Sequence, residues 1–303
     1  MRTDGLVNGH PEGHNNSADG IVCEMSGCIE KEGDIMKEGS IEEFTGIIKE
    51  SDNIVFFGGA GVSTESGIPD FRSVDGLYNM KYDFPPETII SHSFFMSRPE
   101  EFYRFYRDKI LLSGIEPNTT HKELAGLEKM GKLKAVVTQN IDGLHQKAGS
   151  KNVFEIHGTV ALNTCTKCGK KFDGQYMIDA IDNGVPEWEK KNCGAVLEKD
   201  DRRYHLPLCD KCGGLIKPDV VLYEEGLDDY VWDMSRKYIS EADVLIIAGT
   251  SLVVYPAAGL VNYYRGNKLI LINLSESPYD DEADLVLHRK LGEVFDGLCD
   301  RIS

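Results

Sequence analysis

The chain has 303 residues, 41% of them hydrophobic, which suits one large soluble domain or two small ones. It carries 33 Lys and Arg against 50 Asp and Glu, a formal charge of -17. That balance would repel nucleic-acid phosphates and attract basic partners such as lysine-rich protein tails, and the absence of any apolar run of about 18 residues predicts no membrane-spanning helix.

Residues 1–40 hold eight acidic residues against three basic ones and show no apolar period, so they read as a disordered acidic extension. The opening stretch MRTDGLVNGHPEGHNNSADG lacks the apolar core of a signal peptide, and a cytoplasmic location is expected. His10, His14, Cys23 and Cys28 lie in this extension and read as scattered polar residues rather than metal ligands. From Ile41, IEEFTGIIKES is apolar at helical spacing. A short apolar strand follows at Ile54–Phe57, then Gly58, Gly59 and Gly61, which let the backbone turn sharply and offer its amides to a pyrophosphate. Ser63, Thr64, Glu65 and Ser66 come next, and a second break at Gly67 and Pro69 leads to Asp70, Phe71 and Arg72, an ordered loop placed to carry chemistry.

Further buried strands are predicted at Lys134–Thr138, Asp243–Ala248, Lys268–Asn273 and Asp284–Leu287, with helical patterns at His121–Met130 and Tyr255–Tyr264 between them. Such alternation predicts an α/β fold with a doubly wound, mostly parallel sheet whose ligand sites lie at the carboxyl ends of the strands. The motifs GGAG, TQNID and GTS each follow a strand at once, which points to a single cleft.

Residues 162–216 break this pattern with charged residues and two CxxC pairs, Cys165/Cys168 and Cys209/Cys212. In a reducing compartment that spacing favours metal over disulfide, and four thiolates would close a tetrahedral zinc site with no open position, a structural site. The 40-residue interval between the pairs is longer than a compact zinc ribbon needs, and it contains Cys193, a rival fourth ligand that lacks a paired cysteine. The stretch Asp173–Leu208 reads as a helix plus an exposed loop, and Cys299 as a core thiol.

The string GAGVSTESGIPDFRS, together with TQNIDGLH (Thr138–His145), the His157-Gly158 pair, the CxxC pairs and GTSLVVYPAA (Gly249–Ala258), closely resembles the sirtuin family of NAD-dependent protein lysine deacylases, in a bacterial-type form. The resemblance runs from about Ile41 to the C-terminus. It implies a catalytic domain over 41–303, with a Rossmann-like large domain (about 41–161 and 217–303) and an inserted zinc module (about 162–216). It makes His157 the general base, a role that imidazole suits near neutral pH, where the bare sequence reading of a lone histidine is structural. It assigns Gln139 and Asn140 to the ribose on the nicotinamide side, and Ile141 and Asp142 to the nicotinamide carboxamide, where an isolated N-x-D would read as an Asx turn. Catalytic standing thereby falls to His157, Asn140 and Asp142. Ala60, Gly61, Thr64, Phe71, Arg72 and Gly249 would contact NAD, Phe71 shielding the reacting ribose; Thr250, Ser251 and Asn273 would hold the adenosine half, with a backbone group near Leu291 at the adenine. The extended run KPDVVLYEE (Lys217–Glu225) would pair with substrate peptide through Val221 and Tyr223. Family members often carry Phe-Gly-Glu where this chain has Tyr223, Glu224 and Glu225, which puts the local peptide geometry in question.

The reaction so implied is NAD-dependent deacetylation of acetyl-lysine proteins: the amide oxygen of acyl-lysine attacks the anomeric carbon of NAD as nicotinamide leaves, His157 activates a ribose hydroxyl, and water completes release of lysine and O-acetyl-ADP-ribose. Relatives preferring succinyl- or malonyl-lysine carry Tyr-x-x-Arg; here EFYRFYRDK has Tyr103 but Tyr106 in place of the arginine, so acetyl-lysine is expected unless Arg107 points into the acyl pocket. A hydride-transfer dehydrogenase would need an acidic residue ending a second strand, and Asp83 lies in KYDFPPE, which has no strand pattern. Mono-ADP-ribosyl transfer and non-catalytic NAD or peptide binding remain the alternatives, separable by product analysis.

Overall fold

In the computed structural model, residues 39–70, 82–185, 196–199 and 202–303 are described. Phe71, Arg72, Cys193 and the four metal-capable residues of the N-terminal segment lie outside them. In chain order the elements are helix α1 (Ile41–Glu50), strand β1 (Ile54–Gly58), helices α2 (Pro86–Ile89), α3 (His92–Ser97), α4 (Pro99–Phe105) and α5 (Thr119–Lys129), β2 (Leu133–Thr138), α6 (Leu144–Ala148), β3 (Val153–Glu155), β4 (Gly158–Cys165), β5 (Lys171–Asp173), α7 (Gly174–Asn183), β6 (Val196–Lys199), β7 (Arg202–His205), β8 (Ile216–Val220), α8 (Asp229–Glu241), β9 (Val244–Ala248), β10 (Lys268–Ile272), β11 (Leu285–Leu287), α9 (Leu291–Phe295) and α10 (Leu298–Ile302).

Six strands form a parallel sheet in the order β11-β10-β9-β1-β2-β3. β1 and β9 are buried along their whole length because both faces of the sheet are covered, which is why they read as unbroken apolar runs. Successive side chains point to opposite faces, so Ile54 and Phe56 join Phe44, Ile48 and Phe295 on one side, while Val55 and Phe57 join Leu245, Ile247 and Leu260 on the other. The register aligns Gly58 with both Thr138 and Ala248, and Ala248 with Ile272. The loops leaving β1, β2, β9 and β10 therefore open on one edge of the sheet, where the strand order reverses on either side of β1. Asp83 lies outside any strand, in keeping with the missing ribose selector of a dehydrogenase.

Away from the large sheet, β5-β4-β8 make a small antiparallel sheet and β6-β7 a hairpin. They pack with α3, α4 and α7 around Phe95, Phe102, Tyr103, Phe105, Tyr106, Met177 and Ile216. The sequence expectation for Asp173–Leu208 was a helix and an exposed loop; the helix is present as α7, but the rest includes the β6-β7 hairpin. Its charged strand Arg202–His205 is anchored by Tyr204, which is buried and whose hydroxyl donates to Asp108 at 3.0 and 3.1 Å. The pattern at Tyr255–Tyr264 resolves as a 3-10 helix over Ala257–Tyr263. Among the described residues no helix is long and apolar enough to cross a membrane.

Candidate active site

The glycines after β1 allow two loops to touch. Gly61 N–H donates to the Gly249 carbonyl at 2.8 Å, and a Cβ on Gly61 would lie 2.7 Å from the Gly249 Cα. Gly249 itself holds φ +60, and a side chain there would meet the backbone of Gly61 and Val62. A chain of bonds then crosses the strand ends: Gln139 Nε2 donates to Thr250 Oγ1 at 2.9 Å, and Thr250 N–H to Asn273 Oδ1 at 3.0 Å. Residues from the loops after β2, β9 and β10 are thus held on one another. Ala60 is partly exposed, Thr64 and Ser251 are exposed, and Thr64 Oγ1 donates to the Gly61 carbonyl. Leu291 turns its side chain into the core, while the adjoining Gly292 N–H is taken by Glu65 Oε2 at 2.7 Å.

A second cluster sits beside the first. Ser63 is buried; its hydroxyl donates to Asp142 Oδ2 at 2.6 Å and accepts from Asn140 Nδ2 at 3.0 Å. Asp142 Oδ1 also accepts the Leu144 N–H at 2.9 Å, as an Asx-type contact would. The Ile141 carbonyl accepts from Val160 N–H, tying this loop to β4.

His157 Nδ1 lies 3.1 Å from the Gln139 carbonyl. A carbonyl can only accept, so Nδ1 carries the proton and the neutral ring leaves the Nε2 lone pair as its basic site. Burial lowers the His157 pKa and so disfavours the charged ring, opposed in part by that backbone bond. Its carbonyl accepts the Val221 N–H at 2.9 Å, so the candidate base and the candidate peptide edge are joined directly. Gly158, at φ +75, makes this approach possible: a Cβ there would stand 2.1 Å from the Asp219 carbonyl oxygen.

The four cysteines of the CxxC pairs converge, with their sulfurs all within 4.8 Å of one another, Cys165 to Cys212 at 3.5 Å and Cys168 to Cys209 at 3.7 Å. Tetrahedral zinc with bonds of about 2.3 Å would space its sulfurs about 3.8 Å apart, so the donor set fits one structural zinc ion.

A model of the Sir2 family matches residues 59–256. The chain belongs to the Sir2 family. This Sir2 chain is 54% identical over 258 residues to an NAD-dependent protein deacetylase of Clostridium acetobutylicum, covering 84% of this chain and 96% of that one. It is 53% identical over 266 residues to its namesake in Clostridium perfringens, covering 87% and 100%. Among solved structures, a Sir2 protein with a p53 peptide and NAD+ is 38% identical, with a TM-score of 0.69 and coverage of 86% and 98%. A Sir2 variant with a deacetylated p53 peptide and 3'-O-acetyl ADP-ribose is likewise 38% identical, with a TM-score of 0.70 and coverage of 87% and 97%.

Sequence reasoning passed over several residues that this Sir2 site contains. Ser63 read as one hydroxyl in a polar loop, yet it bridges Asn140 and Asp142. Behind it His121 and His145 are buried with ring centroids 4.7 Å apart, and burial pushes them down to about 4 and about 3 respectively. His121 belongs to an N-cap arrangement with Asn118, whose Nδ2 donates to the Val62 carbonyl at 2.8 Å. Glu155, two residues before His157, is pushed up to about 7 by burial, with Asp142 adding to the rise.

Proposed function

We propose that this Sir2-family chain is an NAD-dependent protein-lysine deacetylase, releasing nicotinamide and O-acetyl-ADP-ribose. The observation that carries the reading is the junction at His157: its Nδ1 is fixed by the Gln139 carbonyl, and its own carbonyl holds Val221. One residue thereby connects the nucleotide loops to the strand edge that would take a peptide. NAD, as co-substrate, supplies an anomeric carbon with a good leaving group. The chain's part is to hold the reactants and move one proton: Nε2 of His157 takes it from a ribose hydroxyl. Asn140 and Gln139 orient that ribose; Asp142, held by Ser63, and the backbone at Ile141 read the carboxamide. Ala60, Gly61, Thr64, Arg72 and Gly249 contact the cofactor, Phe71 shields its reacting ribose, and Thr250, Ser251, Asn273 and the backbone near Leu291 bind its adenosine half. Zinc at Cys165, Cys168, Cys209 and Cys212 stabilises the module over about 162–216, within a catalytic domain spanning 41–303.

The acyl preference is for acetyl. Arg107 is spent on Asp182, with bonds of 2.8 and 2.7 Å, and the buried Tyr103 hydroxyl donates to the Ile216 carbonyl, so neither is available to bind an acyl carboxylate. The protein substrates are acetyl-lysine segments in extended form, pairing beside Val221 and Tyr223. The test is mass spectrometry of an acetyl-lysine peptide with and without NAD, following peptide, nicotinamide and acyl-ADP-ribose. Equal yields of all three products, lost in His157→Ala with zinc content intact, are expected. Nicotinamide released without deacetylation would instead favour ADP-ribosyl transfer, which ADP-ribosylated protein among the products would identify, or a different acyl group.

A further inference from the structure

The segment after β8 is fastened at both ends. At its start Val221 N–H is bound to the His157 carbonyl. Two residues on, Tyr223 forms a single parallel bridge with Ser91: its N–H donates to the Ile90 carbonyl at 3.0 Å, and its carbonyl accepts the His92 N–H at 3.0 Å. Among the described residues the Val221 carbonyl has no hydrogen-bond partner. Glu224 then takes φ 76, a left-handed conformation that costs any residue but glycine. The return on that strain is visible in its side chain. Glu224 Oε2 accepts the Ser93 N–H at 2.9 Å and Oε1 accepts the Ser93 hydroxyl at 2.9 Å, both in the first turn of α3. Glu225 backs it up, with Oε1 2.8 Å from His92 Nδ1 and Oε2 accepting from Leu222 N–H and Lys217 Nζ, each at 2.9 Å. A glycine at 224 would adopt the turn without strain and could make none of the Ser93 bonds.

We infer that Glu224 is a positioning residue for the acetyl-lysine peptide: its carboxylate clamps the substrate edge to α3, so that the Val221 carbonyl stands ready before peptide arrives. The inference rests on the reading of Val221 and Tyr223 as the peptide edge. A preordered edge leaves less backbone to immobilise on binding, and its loss should raise KM for peptide while the chemistry at His157 proceeds as before.

The experiment compares the wild type with Glu224→Gly and Glu224→Ala, reading two quantities. Hydrogen exchange at the Tyr223 and His92 amides, without peptide, should quicken about tenfold in both variants. KM for an acetyl-lysine peptide should rise about fivefold, with kcat and KM for NAD unchanged. Ser93→Ala, which spares the Glu224 backbone, should move both quantities in the same direction by less. Unchanged exchange in Glu224→Ala would remove the clamp. Faster exchange with unchanged peptide KM would show that the clamp exists but does not position peptide, overturning the inference while leaving the reading of Val221 and Tyr223 as the peptide edge in place. Wild-type behaviour of Glu224→Gly alone would assign the effect to backbone conformation and overturn the role of the carboxylate.

Discussion

The buried histidine pair makes a quantitative demand on stability as pH falls. Among the described residues both ring nitrogens of His145 are buried without a hydrogen-bond partner, and burial holds its pKa down at about 3, with the neighbouring His121 adding to the effect. In the unfolded chain the same ring titrates near the reference value of 6.5. Above pH 6.5 the residue is neutral in both states; as pH falls the unfolded state binds a proton that the folded state refuses, and stability is lost. Between pH 7 and pH 5 the linkage amounts to about 1.9 kcal/mol for one such histidine, a figure insensitive to the folded value so long as it stays well below 5. His121 has the same sign, whereas Glu155, raised to about 7, has the opposite one: its folded carboxyl takes up a proton sooner and gains stability over this range. The clean observable is therefore a difference of differences. His145→Phe keeps a ring near Phe56 and removes one titration, so its loss of stability from pH 7 to pH 5 should be smaller than wild type's by about 2 kcal/mol. Urea unfolding at the two pH values, followed by far-UV circular dichroism, measures it. Equal losses in the two proteins, within about 0.5 kcal/mol, would refute the assignment of His145 as a buried neutral histidine.

Ser63→Ala removes a bond to a carboxylate and strands the Asn140 amide, together about 3 kcal/mol, so kcat/KM for deacetylation should fall about a hundredfold while the far-UV spectrum is unchanged. Gly158→Ala combines a left-handed backbone with a 2.1 Å collision against rigid backbone; a loss of about 3 kcal/mol and a Tm lower by about 10 °C are expected in a thermal melt, and a shift below about 2 °C would contradict the geometry. Chelation of the four-cysteine site should release one zinc per chain and lower the melting temperature, and replacing Cys193 should leave the zinc content unchanged. A stoichiometry lower in the Cys193 variant would make it a ligand after all.

Much of the large sheet could be read from the chain because its strands are buried on both faces. Apolar runs such as Val244–Ala248 leave little room for another interpretation, and short-range spacing brought the CxxC sulfurs together correctly. Side-chain contacts between distant segments were hidden. Ser63 lies 77 residues from Asn140 and 79 from Asp142, and nothing local distinguishes it from its polar neighbours. The β6-β7 hairpin was missed because its strands are charged and hold their place through distant contacts, Tyr204 and Arg202 reaching Asp108 across 96 and 94 residues. At Glu224 the sequence showed where a glycine is usual but not what the glutamate does in its place; that required the φ angle and the position of Ser93 together.

The hydrogen bond from His157 to a backbone carbonyl bears on how the enzyme resets itself. A histidine oriented by an acidic side chain gains a counter-charge that stabilises the imidazolium and slows its return to neutrality. The Gln139 carbonyl brings a dipole without a full charge, in surroundings that already disfavour the cation. In the role proposed for His157, a proton collected on Nε2 would therefore be held loosely. His157 would in that role be a brief carrier, and the site would be ready for its next substrate once that proton had gone.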